Sequence, residues 1–126
     1  MDLVDTNIFL EIILQQSKAA DCETYLRSHA GQYCFSSFTF HSIGVLLFKK
    51  KQVAAFEQFM KDFLPIVFVK ALSPNGYMQL PAIQTKFNLD FDDCFQYAVA
   101  EENQFQLVTM DADFEKVGNS IPVLFL

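Results

Sequence analysis

Short apolar runs alternate with segments whose apolar residues recur at helical spacing, and this alternation constrains the fold most. Asp2-Leu3-Val4 reads as a short strand, after which Ile8, Phe9, Ile12 and Ile13 mark a helical face. A second helix is expected after Ser17, with Cys22, Tyr25 and Leu26 inward and Gly31 closing it. Tyr33-Cys34-Phe35 reads as a strand, and Ser36 and Ser37 cap a helix bearing Phe40, Ile43, Leu47 and Phe48. Val53, Phe56, Phe59, Met60 and Phe63 form another stripe, which Pro65 stops, and Ile66 to Val69 reads as a buried strand. Ser73-Pro74-Asn75-Gly76 is turn chemistry, and the helix that follows to Asn88 should kink or divide at Pro81. Asp90 to Asn103 reads as a helix, Phe105 to Thr109 as a strand, Ala112 to Val117 as a short helix and Val123 to Leu126 as a last strand. Strands alternating with helices imply a three-layer α/β/α sandwich around a central, mainly parallel sheet, with residues 1–126 as a single domain.

Composition narrows the function. The chain is 52% hydrophobic and 19% charged, which suits a packed core rather than disorder. Its 15 phenylalanines suggest aromatic surface for an oligomer interface as well as for the core. A net charge of −6 argues against sequence-independent binding of nucleic acid through lysine and arginine alone. Lys49-Lys50-Lys51, the one basic cluster, suits a helix C-terminus. MDLVDTNIF lacks the positive stretch of a secretion signal, and no apolar run approaches the roughly 20 residues that span a bilayer. Cys22, Cys34 and Cys94 have no metal-like spacing and read as reduced, buried thiols. A cytoplasmic protein without membrane association is the expectation.

Two strands end on acids. Asp5 follows Leu3-Val4, and Asp111 follows Leu107-Val108 within LVTMDADF. In a parallel sheet, ligands bind beyond the carboxyl ends of the strands. Asp92 and Asp93 open a helix that can begin on the same edge. Any one of these acids alone is explained by a turn or a helix cap. Together they would repel one another and raise a pKa unless a divalent cation joined them. An all-oxygen cluster suits Mg²⁺ or Mn²⁺ better than zinc.

These residues carry a resemblance. LVDTNIFLE, DCFQYAVA and LVTMDADF occur in the order and spacing of the motifs of the PIN domain family, metal-dependent ribonucleases that include the VapC toxins of bacterial toxin–antitoxin pairs. The resemblance implies a metal-dependent endoribonuclease in which Asp5, Asp93 and Asp111 hold Mg²⁺ or Mn²⁺. Asn7 and Thr109 would orient these carboxylates, with Asp113 auxiliary. It further implies RNA as substrate, a homodimer and an antitoxin protein as partner. One position departs. The family usually has a glutamate after its second strand, whereas Ser36-Ser37-Phe38-Thr39-Phe40-His41-Ser42 places Ser42 there. Glu101 lies about 12 Å along the helix from Asp93, too far to compensate, and Glu11 is remote. Ser42 therefore keeps an alternative open, a PIN-like module that binds RNA or a protein without cleaving. A receiver-like phosphoacceptor fits less well, because the third strand ends on Lys70 and no lysine follows the last strand. A phosphatase of the D-x-D-x-T class would need a second aspartate where Asn7 stands.

Overall fold

The computed structural model describes residues 1–126. In chain order the elements are β1 (Asp2–Val4), α1 (Thr6–Ile13), α2 (Ala19–Ser28), β2 (Tyr33–Ser36), α3 (Ser37–Lys49), α4 (Val53–Phe63) and β3 (Val69–Lys70). They continue with α5 (Pro74–Phe87), α6 (Phe91–Asn103), β4 (Gln106–Thr109), a 3₁₀ turn (Ala112–Val117) and β5 (Val123–Phe125). The strands form one sheet in the order β3-β2-β1-β4-β5, and every pair is parallel.

β1 is central. Leu3 lies opposite Cys34 of β2 and Leu107 of β4, and Val4 lies opposite Val108. Successive residues of a strand point to opposite faces, yet Leu3, Val4, Leu107 and Val108 are all fully buried. Both faces of the sheet are therefore covered by helices, which is why its middle strands are continuously apolar. The core is heavily aromatic. The Phe9 ring meets Phe35, Phe59 and Phe63 edge-on at centroid distances of 5.4, 5.8 and 5.1 Å.

Chain direction positions the site. From β1 the chain moves outward through β2 and β3, then returns to place β4 on the other side of β1. The crevice between the carboxyl ends of β1 and β4 is thus the point where strand order reverses. Asp5 follows β1 and Asp111 follows β4, so both aspartates open onto that crevice.

Five local expectations need correction. The second helix is not capped by Ser17. Lys18 occupies the cap, and its N–H donates to Glu11 Oε1 at 2.9 Å, a partner supplied by α1. That helix closes at His29, two residues before Gly31. The strand expected over Ile66 to Val69 shrinks to Val69–Lys70, with Val67 buried and Ile66 and Phe68 exposed. β3 is an edge strand paired only with β2, and the N–H groups of Ile66 and Val67 turn back to Phe63 O. Ser73-Pro74-Asn75-Gly76 starts a helix rather than a turn. Ser73 Oγ accepts the Gly76 N–H at 3.0 Å, and Pro74 sits in the first helical turn, where a missing N–H costs nothing. α5 then runs unbroken through exposed Pro81, whose loss of one helical hydrogen bond is offset by packing of Leu80 and Ile83 along α6.

Candidate metal centre

Asp5 is the first residue beyond β1, where its N–H continues the ladder to Val108 O at 2.9 Å. Its extended backbone makes it the N-cap of α1, with Oδ1 accepting the Thr6 N–H at 2.8 Å. Three side chains complete its surroundings. Gln96 Nε2 donates to Oδ1 at 2.9 Å, Thr109 Oγ1 donates to Oδ2 at 2.8 Å, and the same Gln96 amide donates to Thr39 Oγ1 at 2.9 Å.

Asp93 lies in the first turn of α6, and Asp90 is that helix's cap, accepting the Asp93 N–H at 3.0 Å. Because Asp90 caps the helix, the buried Asp93 carboxylate is left for other partners. Asp111 caps the 3₁₀ turn. Its own N–H donates to Thr109 Oγ1 at 3.0 Å, and its Oδ1 accepts the Asp113 N–H at 2.9 Å. That turn carries Asp113 back toward the cleft. Asp93, Asp111 and Asp113 each present a carboxylate oxygen, and the three oxygens lie within 4.8 Å of one another. Two oxygens on one small ion, each at 2.0–2.1 Å, are at most about 4.2 Å apart, so little movement separates this cluster from coordination.

Asp5, Asn7, Ser42, Asp92, Asp93 and Asp111 line one cleft of about 270 Å³. Ser42 thus lines the same cleft as these acids. His41 faces away into a separate apolar groove with Phe40, Val45 and Phe48. Glu11 is spent on capping α2, and Glu101 accepts the Tyr97 hydroxyl, so neither joins the cleft. Asn7 donates to none of the carboxylates, and its buried Oδ1 has no hydrogen-bond partner.

Electrostatics set the cleft apart. Burial pushes the Asp93 carboxyl up to about 7, with Asp90, Asp111, Asp5 and Asp113 adding repulsion. Burial also raises Asp5, against the lowering effect of its donors Gln96, Thr109 and Thr6. No protein cation answers this charge. The two ion pairs of the molecule, Arg27 with Glu23 and Lys61 with Glu57, lie along α2 and α4. Clustered acids, an orphaned amide oxygen and an all-oxygen donor set fit a hard divalent cation.

A family profile, the PIN domain, matches residues 3–120. The chain belongs to the PIN domain family. Solved structures share the fold of this PIN domain at low sequence identity. The Mycobacterium tuberculosis toxin VapC20, described as cleaving the sarcin–ricin loop, superposes with a TM-score of 0.81 at 16% identity, covering 94% of this chain and 95% of its own. A toxin–antitoxin complex from Klebsiella pneumoniae gives 0.78 at 18% identity, covering 98% and 96%. VapBC2 from Rickettsia felis, bound to promoter DNA, gives 0.79 at 14%, covering 99% and 98%. No match is found among curated protein sequences.

Sequence reasoning missed Gln96. The spacing alone shows only that Gln96 sits one turn from Asp93 on the same face of α6; that every residue of Asp93-Cys94-Phe95-Gln96-Tyr97-Ala98-Val99-Ala100 is buried appears only in the fold. A glutamine that is only 1% exposed needs partners for its amide, but the acid that meets this need is Asp5, 91 residues away.

Proposed function

We propose that this PIN domain, a single domain spanning the chain, is a Mg²⁺- or Mn²⁺-dependent endoribonuclease and the toxin of a VapBC-type toxin–antitoxin pair. The observation that carries the reading is the cluster of Asp93, Asp111 and Asp113, which Asp5 does not join, beside a cleft that Asp5, Asp93 and Asp111 line and that holds no lysine or arginine. Asp5, Asp93 and Asp111 would hold the cation, and Asp113 closes the cluster from the 3₁₀ turn. Thr109 orients Asp5 through its hydroxyl and steadies the Asp111 backbone through the same atom. Asn7 lines the cleft, and its buried Oδ1 has no hydrogen-bond partner. When bound, the cation supplies Lewis-acid polarisation of the phosphodiester and a water nucleophile at neutral pH. It also gives an acidic protein a local attraction for phosphate. The toxin–antitoxin assemblies among proteins of the same fold support an antitoxin partner, and exposed Phe48, Phe68 and Phe91 support a homodimer or partner surface. A cytoplasmic location would give such an enzyme access to cellular RNA.

Ser42 favours a second reading, a PIN module that binds RNA or a protein without cutting. The test is incubation of the purified chain with cellular RNA in Mn²⁺, in Mg²⁺ and in EDTA. Cleavage that requires metal supports the nuclease. RNA or antitoxin binding with no cleavage in either metal supports the second reading.

A further inference from the structure

A carboxylate accepts along about four directions, two on each oxygen. At Asp5 three are taken. The Thr6 N–H and Gln96 Nε2 fill both directions on Oδ1, and Thr109 Oγ1 fills one on Oδ2. A single direction on Oδ2 remains.

The amide of Gln96 cannot reverse. Its Oε1 accepts from Ser36 Oγ at 2.6 Å, and its second N–H is engaged by Thr39 Oγ1 at 2.9 Å. Thr39 Oγ1 is fixed in turn by Thr6 Oγ1 at 2.9 Å. Ser36 Oγ accepts the Thr39 N–H at 3.1 Å, which leaves its hydroxyl hydrogen for Gln96. A flipped amide would set oxygen against the Asp5 carboxylate and lose these bonds. Ser36 and Thr39 are fully exposure-free at 0%, so water does not compete for this network.

We propose that Gln96 is a positioning residue that makes Asp5 a one-oxygen ligand, and so sets the preference of the cleft for a small octahedral cation over a larger one. This rests on the metal-centre reading given above. Mg²⁺ and Mn²⁺ suit single-oxygen carboxylate ligands in octahedral sites, whereas Ca²⁺ takes six to eight oxygens and readily uses both atoms of one carboxylate. With Gln96 in place, Oδ1 is saturated and two-oxygen binding by Asp5 is blocked. Without it, each oxygen has one free direction.

Calorimetric titration of the full chain with Mn²⁺ and, separately, with Ca²⁺ tests this. Gln96→Met removes the donor at similar length. Mn²⁺ affinity should fall about tenfold, as for loss of a group that orients a ligand, while Ca²⁺ affinity holds or rises. The Mn²⁺ to Ca²⁺ preference then drops by at least that factor. Thr109→Val frees a second direction on Oδ2 but leaves Oδ1 saturated, so it should weaken both ions alike and keep the preference. If circular dichroism shows Gln96→Met unfolded, Thr39→Val decides, with the preference lowered about threefold through a loosened amide. Equal loss of both ions, or no loss, in the folded variant overturns the role of Gln96 while the metal centre stands. Wild-type protein that binds neither ion overturns the metal centre and this inference together.

Discussion

Asp2 and Asp5 stand at opposite ends of β1 and meet different company. Asp2 accepts hydrogen bonds from the Tyr25 hydroxyl and from Gln106 Nε2, so it ties α2 and β4 to the first strand. Burial, with Asp2 beside it, raises the Tyr25 phenol strongly and keeps it a donor. Asp5 is likewise held only by neutral donors. The contrast lies around them. Neutral donors satisfy the lone carboxylate at the amino end of the strand. At the carboxyl end Asp5 belongs to a group in which Asp93 is pushed up to about 7 by burial and by four neighbouring acids. Amides and hydroxyls spread the charge of one acid but cannot neutralise several in one cleft. A carboxylate that fastens the fold and one that lies among other acids can thus have similar hydrogen bonds, and only the number of neighbouring acids tells them apart.

The largest expected effect separates these two ends directly. Asp5→Asn should lower Mn²⁺ affinity and RNA cleavage by at least about 100-fold, since even groups that only orient a ligand are worth 10–100-fold. Asp2→Asn should leave both within about twofold and instead cost about 1 kcal/mol of stability through weakened bonds to Tyr25 and Gln106. Calorimetry, a cleavage assay and urea denaturation of both variants make the comparison, and equal metal affinities would erase the distinction.

An intermediate effect is expected at Ser42. A fourth carboxylate adds charge where the serine now lines the cleft with the acids, so Ser42→Glu should tighten Mn²⁺ binding by about tenfold and raise any nuclease activity. Unchanged affinity would mean that a side chain at position 42 does not reach the ion.

The smallest effect is on the pH dependence of the metal-free protein. The Asp93 carboxyl titrates near 7 in the folded chain and near 3.9 when unfolded. Between these values the folded state holds the extra proton, so this group's contribution is full below about pH 4 and is lost as pH rises through 7. In EDTA, Asp93→Asn should therefore gain stability relative to the wild type as pH rises from 5 to 8. Saturating Mn²⁺ should cancel the wild-type loss, because the cation replaces the proton. A stability difference that stays constant across this range in EDTA would contradict the assignment.

What the chain alone determined is what local physics writes into short stretches. Short apolar runs placed β1, β2 and β4, and period-3.6 patterns placed most helices, because burial of both faces of a strand or of one face of a helix is written in the local order of residues. Asp5 and Asp111 were legible as acids at strand ends, and Asp93 as an acid in a first helical turn, since each position follows from its immediate neighbours. Tertiary structure decided whatever depends on a distant partner. Ser73 starts a helix pinned by Glu102, 29 residues on, so its turn-like neighbours misled. β3 is short because the N–H groups of Ile66 and Val67 turn back to Phe63 O instead of joining β2, which their apolar sequence does not reveal. Asp113 joins Asp93 and Asp111 only because the 3₁₀ turn curls back over the crevice. Gln96 reaches Asp5 across 91 residues, and nothing near either residue announces the pair. Hydrogen-bond demand is a property of each side chain, but which partner meets it is set by how the elements pack.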